Sequence, residues 1–204
     1  MRDHLGGVPL ERIPLYPPPG TATERDVIEI ESRSGRICEL VDGVLVEKAM
    51  GYYESLLAAE IIYLIKQHLR SRDLGIVLGE AGALKILPHQ VRIPDVSFLG
   101  WERFAGRQLP VEPIPAVAPD LAVEILSEAN TEREMDRKLR DYFAAGVRLV
   151  WYVDPKTRTA RAYTSPAQCA VVAEDAALSG GEVLPGFEIR LGELFARVGP
   201  RKRE

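Results

Sequence analysis

The chain of 204 residues is 46% hydrophobic and 27% charged, enough apolar material for a full core and one domain with short extensions. A net charge of -4 argues against a non-specific DNA coat, which rests on Lys and Arg neutralising phosphates, but is compatible with a local basic groove. No apolar run approaches the roughly 18 residues that span a bilayer and MRDHLGG lacks an apolar signal core, so the cytoplasm is the expected location.

Residues 1–20 are rich in Pro and Gly and close with YPPPG, which predicts a flexible N-terminal arm. In ICELVDGVLVEKA, two alternating apolar runs flank Asp42-Gly43, the strongest short-range hairpin signal. Leu56, Leu57, Ala59, Ile61, Leu64, Ile65 and Leu69 recur at helical spacing and predict an amphipathic helix from Tyr52 to Arg70. GIVLGEAGALKIL and VRIPDVSFL read as two strands joined by a polar turn at Pro88-His89-Gln90. The Pro-rich loop LPVEPIPAVAP leads into DLAVEILS, whose nearly continuous apolar run suits a central strand covered on both faces. Helix returns from Thr131 to Ala145, with Thr131 and Glu134 in capping-box register and a stripe of Met135, Leu139, Tyr142 and Phe143. RLVWYVD and RTARAYT read as closing strands, VLPGFEIRLGELF as a short C-terminal cap, and residues 199–204 as a frayed tail. Residues 21–198 are then one domain. Helices interleaved with strands predict an α/β fold, a mixed central sheet flanked by helices with an added N-terminal β-hairpin.

Two acids are out of place in this pattern. Asp95 opens the apolar run of RIPDVSFLG, and Glu124 sits in the middle of DLAVEIL. Burying an unpaired carboxylate costs several kcal/mol or forces it to take up a proton, so each is expected to have a partner. Adjacent strands lie about 4.8 Å apart, and neighbouring strands would let the two acids share one divalent cation. Lys138 falls on the shoulder of the second helix's buried face, from which its stem can follow the core and present the ammonium near the strand ends. The alternative is a purely structural triad, with Asp95 capping its strand and Glu124 paired to Arg92 or Lys138.

Pro94-Asp95 followed by Glu124-Ile125-Leu126 resembles the skeleton of the PD-(D/E)XK nuclease superfamily. Within it, CELVDGVLVEKAMGYYESLLAAEI, RIPDVSFL, APDLAVEILSEAN and KLRDYFAAGVRLVWYVDP together resemble the Uma-two family of restriction-endonuclease-like proteins. The resemblance implies a restriction-endonuclease-like core and metal-assisted hydrolysis of DNA phosphodiester bonds. It implies Mg²⁺, with Mn²⁺ able to substitute, on Asp95, Glu124 and the backbone carbonyl of Ile125. Leu126 stands where the superfamily usually has a Lys; the resemblance assigns that role to Lys138 on the following helix. Glu39 and Glu54 are further candidate metal ligands by the same resemblance, with exposed surface acids as the plain alternative. Such chemistry requires positions 95, 124 and 138 to converge in one water-accessible pocket.

The remaining candidates read as structural. Glu80 beside Gly79 reads as a solvated strand end. Asp120 lies about 13 Å along the strand from Glu124, too far to share an ion. His4, His68 and His89 are scattered over arm, helix and turn, Ser127 lacks a nucleophile elbow, and Cys38 and Cys169 read as small hydrophobes, not a disulfide or zinc site. A second class of function is a homodimeric binding or assembly module on the same fold that has lost hydrolysis, with the arm, the Pro-rich loop and apolar strand edges as contacts.

Overall fold

The structure, a computed structural model, describes residues 5–49 and 51–199. A short 3-10 turn at Leu10–Arg12 precedes helix α1 (Glu24–Ser34), the hairpin of β1 (Cys38–Val41) and β2 (Val44–Glu47), and helix α2 (Tyr52–Leu69). Strands β3 (Gly75–Leu78), β4 (Leu84–Leu87), β5 (Gln90–Arg92) and β6 (Val96–Gly100) come next, then β7 (Leu121–Ile125), helix α3 (Glu132–Ala144) and β8 (Leu149–Asp154). The described chain closes with β9 (Thr159–Ser165), β10 (Gln168–Val172), β11 (Ala177–Ser179), β12 (Glu188–Arg190) and helix α4 (Leu191–Val198).

The main sheet runs β10-β9-β8-β7-β6-β3 and a smaller one β2-β1-β5-β4. β7 and β8 are parallel, joined over one face by α3, and their outer neighbours are antiparallel. The architecture is therefore the mixed α/β sandwich expected, with its N-terminal hairpin in the smaller sheet. Asp42 and Gly43 both adopt positive φ, 48° and 76°, the conformation that a two-residue turn needs to match the strand twist.

Strand alternation divides the core. Leu121, Val123 and Ile125 of β7 point toward α2 and α4, packing with Leu57, Ile61, Ile65, Leu194 and Phe195. Ala122 points the other way, where Val150, Tyr152, Met135, Leu139 and Tyr142 cover it under α3. Glu124 shares the parity of Ala122 and is carried onto the α3 face.

Several expectations are corrected. Residues 5–20 are not a loose arm: Leu5, Val8 and Ile13 are buried against Val41, Val44 and Val46, giving the hairpin its second face. A bidentate Arg12–Glu134 pair at 2.9 Å and a bond from the Thr131 hydroxyl to Gly6 O at 2.7 Å fasten the segment to the start of α3. Helix α1, which no sequence signal above anticipated, buries Val27 beside Cys38 and Leu40. GIVLGEAGALKIL and VRIPDVSFL are each two strands, one half in either sheet. Pro94 lacks the N–H that would continue the β5 ladder, so the chain leaves the small sheet and re-pairs in the main one at Val96. Of the tail 199–204 only Gly199 lies within the described residues, and His4 lies outside them.

Candidate active site

The crossing from β5 to β6 sets Asp95 at the very start of β6. In the antiparallel β6–β7 pair Val96 faces Val123, so the register brings Asp95 opposite Glu124 on the same side of the sheet. Asp95 Oδ2 accepts the Ile125 N–H at 2.6 Å, and Lys48 Nζ lies 2.8 Å from Oδ1. Lys48 comes from just past the end of β2, on the hairpin.

Helix α3 delivers the other side of the site. Its capping box, with Thr131 Oγ1 accepting the Glu134 N–H at 3.1 Å, sets the first turn. One turn further on, Lys138 Nζ lies 3.0 Å from Glu124 Oε1 and 3.0 Å from Glu39 Oε1. One turn beyond that, the Tyr142 hydroxyl donates to Glu124 Oε1. Glu39 reaches the site from β1 and is fully engaged: Oε1 also accepts the Ile93 N–H at 3.0 Å, and Oε2 pairs with Arg92 at 2.8 Å. The Arg92 guanidinium spans to Asp141 on α3. Asp95, Glu124 and Lys138, expected together from the sequence, do converge, and Glu39 is among them.

Electrostatics separate these acids. Burial is the largest influence on Glu124; Lys138 opposes it, Asp95 and Glu39 reinforce it, and the carboxyl is pushed up to about 7. Glu39 is just as buried, but Lys138, Arg92 and the Ile93 N–H outweigh desolvation and hold it down at about 2. Burial acts to release the Lys138 proton, yet Glu124 and Glu39 retain it more firmly than in a free lysine. Burial and the Glu124 charge both raise the Tyr142 hydroxyl well above its ordinary value.

Openness to water is where the expectation fails. Asp95, Glu124 and Lys138 are 3%, 5% and 4% exposed, so the three are covered. Beside them is a cleft of about 340 Å³ whose walls include Arg36, Glu47, Lys48, Gly51, Ser55 and Glu80. Lys48 stands between this cleft and Asp95.

The donor set suits a hard cation. Mg²⁺ is commonly held by one or two carboxylates with several retained waters, and Asp95, Glu124 and the Ile125 carbonyl supply oxygens of that kind. Burial raises Glu124 most, Asp95 and Glu39 add to the rise and Lys138 and Lys48 oppose it, so a cation bound beside it would favour its ionised form. Among the described residues no group of three His, Cys, Asp or Glu is arranged to hold a metal, so an ion here would rest on the two carboxylates.

Other candidates settle elsewhere. Glu54 is 5% exposed and curls back over the start of α2, its Oε2 filling the place where a Cβ on Gly51 would sit. Asp120 binds the Gly100 N–H at 2.8 Å and Arg103 at 2.7 Å, locking the start of β7. Ser127 turns toward Asn130, with its N–H on Asn130 Oδ1 at 2.9 Å. His68 packs edge-on against Phe187, and His89, at φ 57°, makes the β4–β5 turn. Trp151 is fully buried, and Trp101 donates to Asp73 at 2.6 Å. Lys48, Tyr142 and Asp141 are the site residues that sequence reasoning missed as such. The available signals were Tyr142 lying one turn from Lys138 and Lys48 ending an apolar strand on its buried parity.

A family model described as "Uma2: Putative restriction endonuclease" matches residues 25–192. Among solved structures, the chain is similar to "a putative nuclease belonging to DUF820" from Anabaena variabilis ATCC 29413. The TM-score is 0.71 at 19% identity, over 81% of this chain and 93% of the other, a likeness of fold. No curated protein matches the sequence.

Proposed function

The chain belongs to the Uma2 family, and from that premise we propose that it is a Mg²⁺-dependent endodeoxyribonuclease that hydrolyses DNA phosphodiester bonds. One observation carries the reading: Asp95 and Glu124 face each other on neighbouring strands, and Lys138 is held on Glu124 at 3.0 Å. Asp95, Glu124 and the Ile125 carbonyl are the groups that would hold Mg²⁺ or Mn²⁺. The ion, when bound, supplies Lewis acidity toward the phosphoryl oxygen and a more acidic water.

The protein's own groups do the rest. Lys138 keeps its proton because two carboxylates flank it, so it acts as a cation toward the charge growing on the phosphate and not as a base. Arg92 and Glu39 position that ammonium. Tyr142 fixes the rotamer of Glu124 by donating to it. The covering of the site by protein lowers the local dielectric and strengthens each of these interactions.

The proposal places the enzyme in the cytoplasm as a homodimer. Among the described residues no helix is long and apolar enough to cross a membrane. Edge strand β10 (QCAVV) carries no charge or Pro and leaves Val171 72% exposed, features that invite pairing with a second copy.

The reading is tested by incubating plasmid and linear DNA with Mg²⁺ or Mn²⁺ and the intact protein. Asp95→Ala, Glu124→Ala and Lys138→Ala are expected to lower cleavage by about 10²–10³-fold or more; activity that survives all three excludes this site. The coverage of all three groups favours a second reading, a non-catalytic homodimeric binding or assembly module. Absence of any heat on Mn²⁺ titration, together with a stable dimer, would select it.

A further inference from the structure

We infer that Lys48 is a further active-site residue, which occupies the cation's place on Asp95 and withdraws into the adjoining cleft when a divalent ion binds. The inference rests on the metal-dependent reading above. Asp95 has two oxygens to offer. Oδ2 is taken by the Ile125 N–H at 2.6 Å, and Oδ1 faces Lys48 Nζ at 2.8 Å. Oδ1 is the oxygen without a backbone bond, and a cation that binds it takes the place where the ammonium now stands.

Lys48 is built to leave. Its side chain is 7% exposed, yet Nζ makes no hydrogen bond of proper geometry, so charge attraction alone holds a buried ammonium there. A buried polar group without hydrogen bonds is costly, and that cost lowers the work of moving it. The stem is a flexible four-carbon chain that can swing the ammonium without a backbone change. The same side chain lines the cleft of about 340 Å³, so the space it would enter already exists.

Lys138 is unlike it in each respect. Its ammonium is within 3.0 Å of two carboxylates and hydrogen-bonded to Glu124, and it does not line that cleft. A divalent ion between the two facing carboxylates would take over the charge that Lys48 now supplies to Asp95 and free that lysine, while Lys138 stays on Glu124 and Glu39. In the cleft the ammonium joins Arg36 and the Ser55 hydroxyl and meets the carboxylates of Glu47, 3.9 Å from Arg36, and Glu80, which offer it new partners in place of Asp95. The closed site and the open cleft are thus two positions of one side chain.

The test reads Lys48 directly in the intact protein. Amine acetylation by N-hydroxysuccinimide acetate is followed residue by residue by mass spectrometry with and without Mn²⁺, alongside calorimetric titration of Mn²⁺. Lys48 is expected to be protected without the ion and to react about tenfold faster with it, as for a group released by local opening, while Lys138 stays protected. Mn²⁺ heat with no change at Lys48 overturns this inference and leaves the metal reading standing. Lys48 already fully reactive without Mn²⁺ overturns it too. No heat at all removes the metal reading and this inference together. Lys48→Met, which keeps the apolar stem, is expected to bind Mn²⁺ several-fold more tightly; unchanged or weaker binding counts against displacement.

Discussion

Arg92 on β5 and Glu39 on β1 form a buried pair at 2.8 Å, and this pair ties the smaller sheet to the active site. Glu39 hands the connection on to Lys138, and Arg92 hands it on to Asp141, both on α3. A hairpin that looks like an appendage in the sequence is therefore a wall of the site.

Removing Arg92 tests that link. Arg92→Met leaves Glu39 short of a partner in a buried place and is expected to cost about 3–5 kcal/mol in urea unfolding. The double variant Arg92→Met with Glu39→Gln removes the stranded charge and should recover part of that loss. A single variant as stable as the parent would show that the pair is not holding the sheets together.

Two opposed titrations shape the pH dependence of stability. Glu124 is raised from its ordinary 4.5 to about 7, so its contribution is complete below 4.5 and is lost as pH rises through 7. Glu39 is lowered from 4.5 to about 2, so its contribution is present above 4.5 and is lost as pH falls through 2. Thermal unfolding of the metal-free protein from about pH 2 to 8 should show the Glu39 loss below pH 4.5 and the Glu124 loss above pH 5. Glu124→Gln should flatten that limb and leave the acid limb in place.

Metal affinity should carry the same signature. Below pH 7 a cation that binds Glu124 must displace a proton, so Mn²⁺ affinity is expected to rise by up to about tenfold per pH unit up to 7 and level off above it. Calorimetry in buffers of different ionisation enthalpy would detect the released proton. A pH-independent affinity with no buffer effect would mean that Glu124 is not a ligand.

Tyr142→Phe separates positioning from chemistry. The hydroxyl donates to ionised Glu124, so its loss should move the Glu124 titration upward and shift the acid limb of the cleavage profile to higher pH. At pH well above that limb the variant should approach parental activity. An equal loss at every pH would instead indicate a direct role for Tyr142.

Gly6→Ala probes the N-terminal segment. An added Cβ would lie 2.6 Å from the Glu134 Cα and N, at a φ of 74° that side chains rarely adopt, and about 1–3 kcal/mol of strain is expected. Loss of cleavage together with stability would show that the segment supports the first turn of α3.

Most of the local structure was legible because it depends on neighbours in the chain. Asp42-Gly43, the stripe of Met135, Leu139 and Tyr142, and the Thr131–Glu134 box each act within a few residues, and all formed where their patterns lie. Asp95 and Glu124 were detectable as acids in apolar surroundings, and Lys138 as a shoulder position. What misled were breaks whose cause is distant: Pro94 ends one ladder in any context, but that β5 and β6 belong to different sheets depends on partners far along the chain.

The amino-acid order by itself determined the α/β class, the hairpin and the two long helices, because hydrophobic period and turn chemistry are properties of short windows. Only the tertiary structure decided that Glu39 and Arg92 belong to the site, that Lys48 covers Asp95, and that the three expected groups are sheltered from water. Those facts come from strand register and from which segment packs over which face. Pairing energies of that kind are summed between residues that the sequence keeps far apart, and no local pattern encodes them.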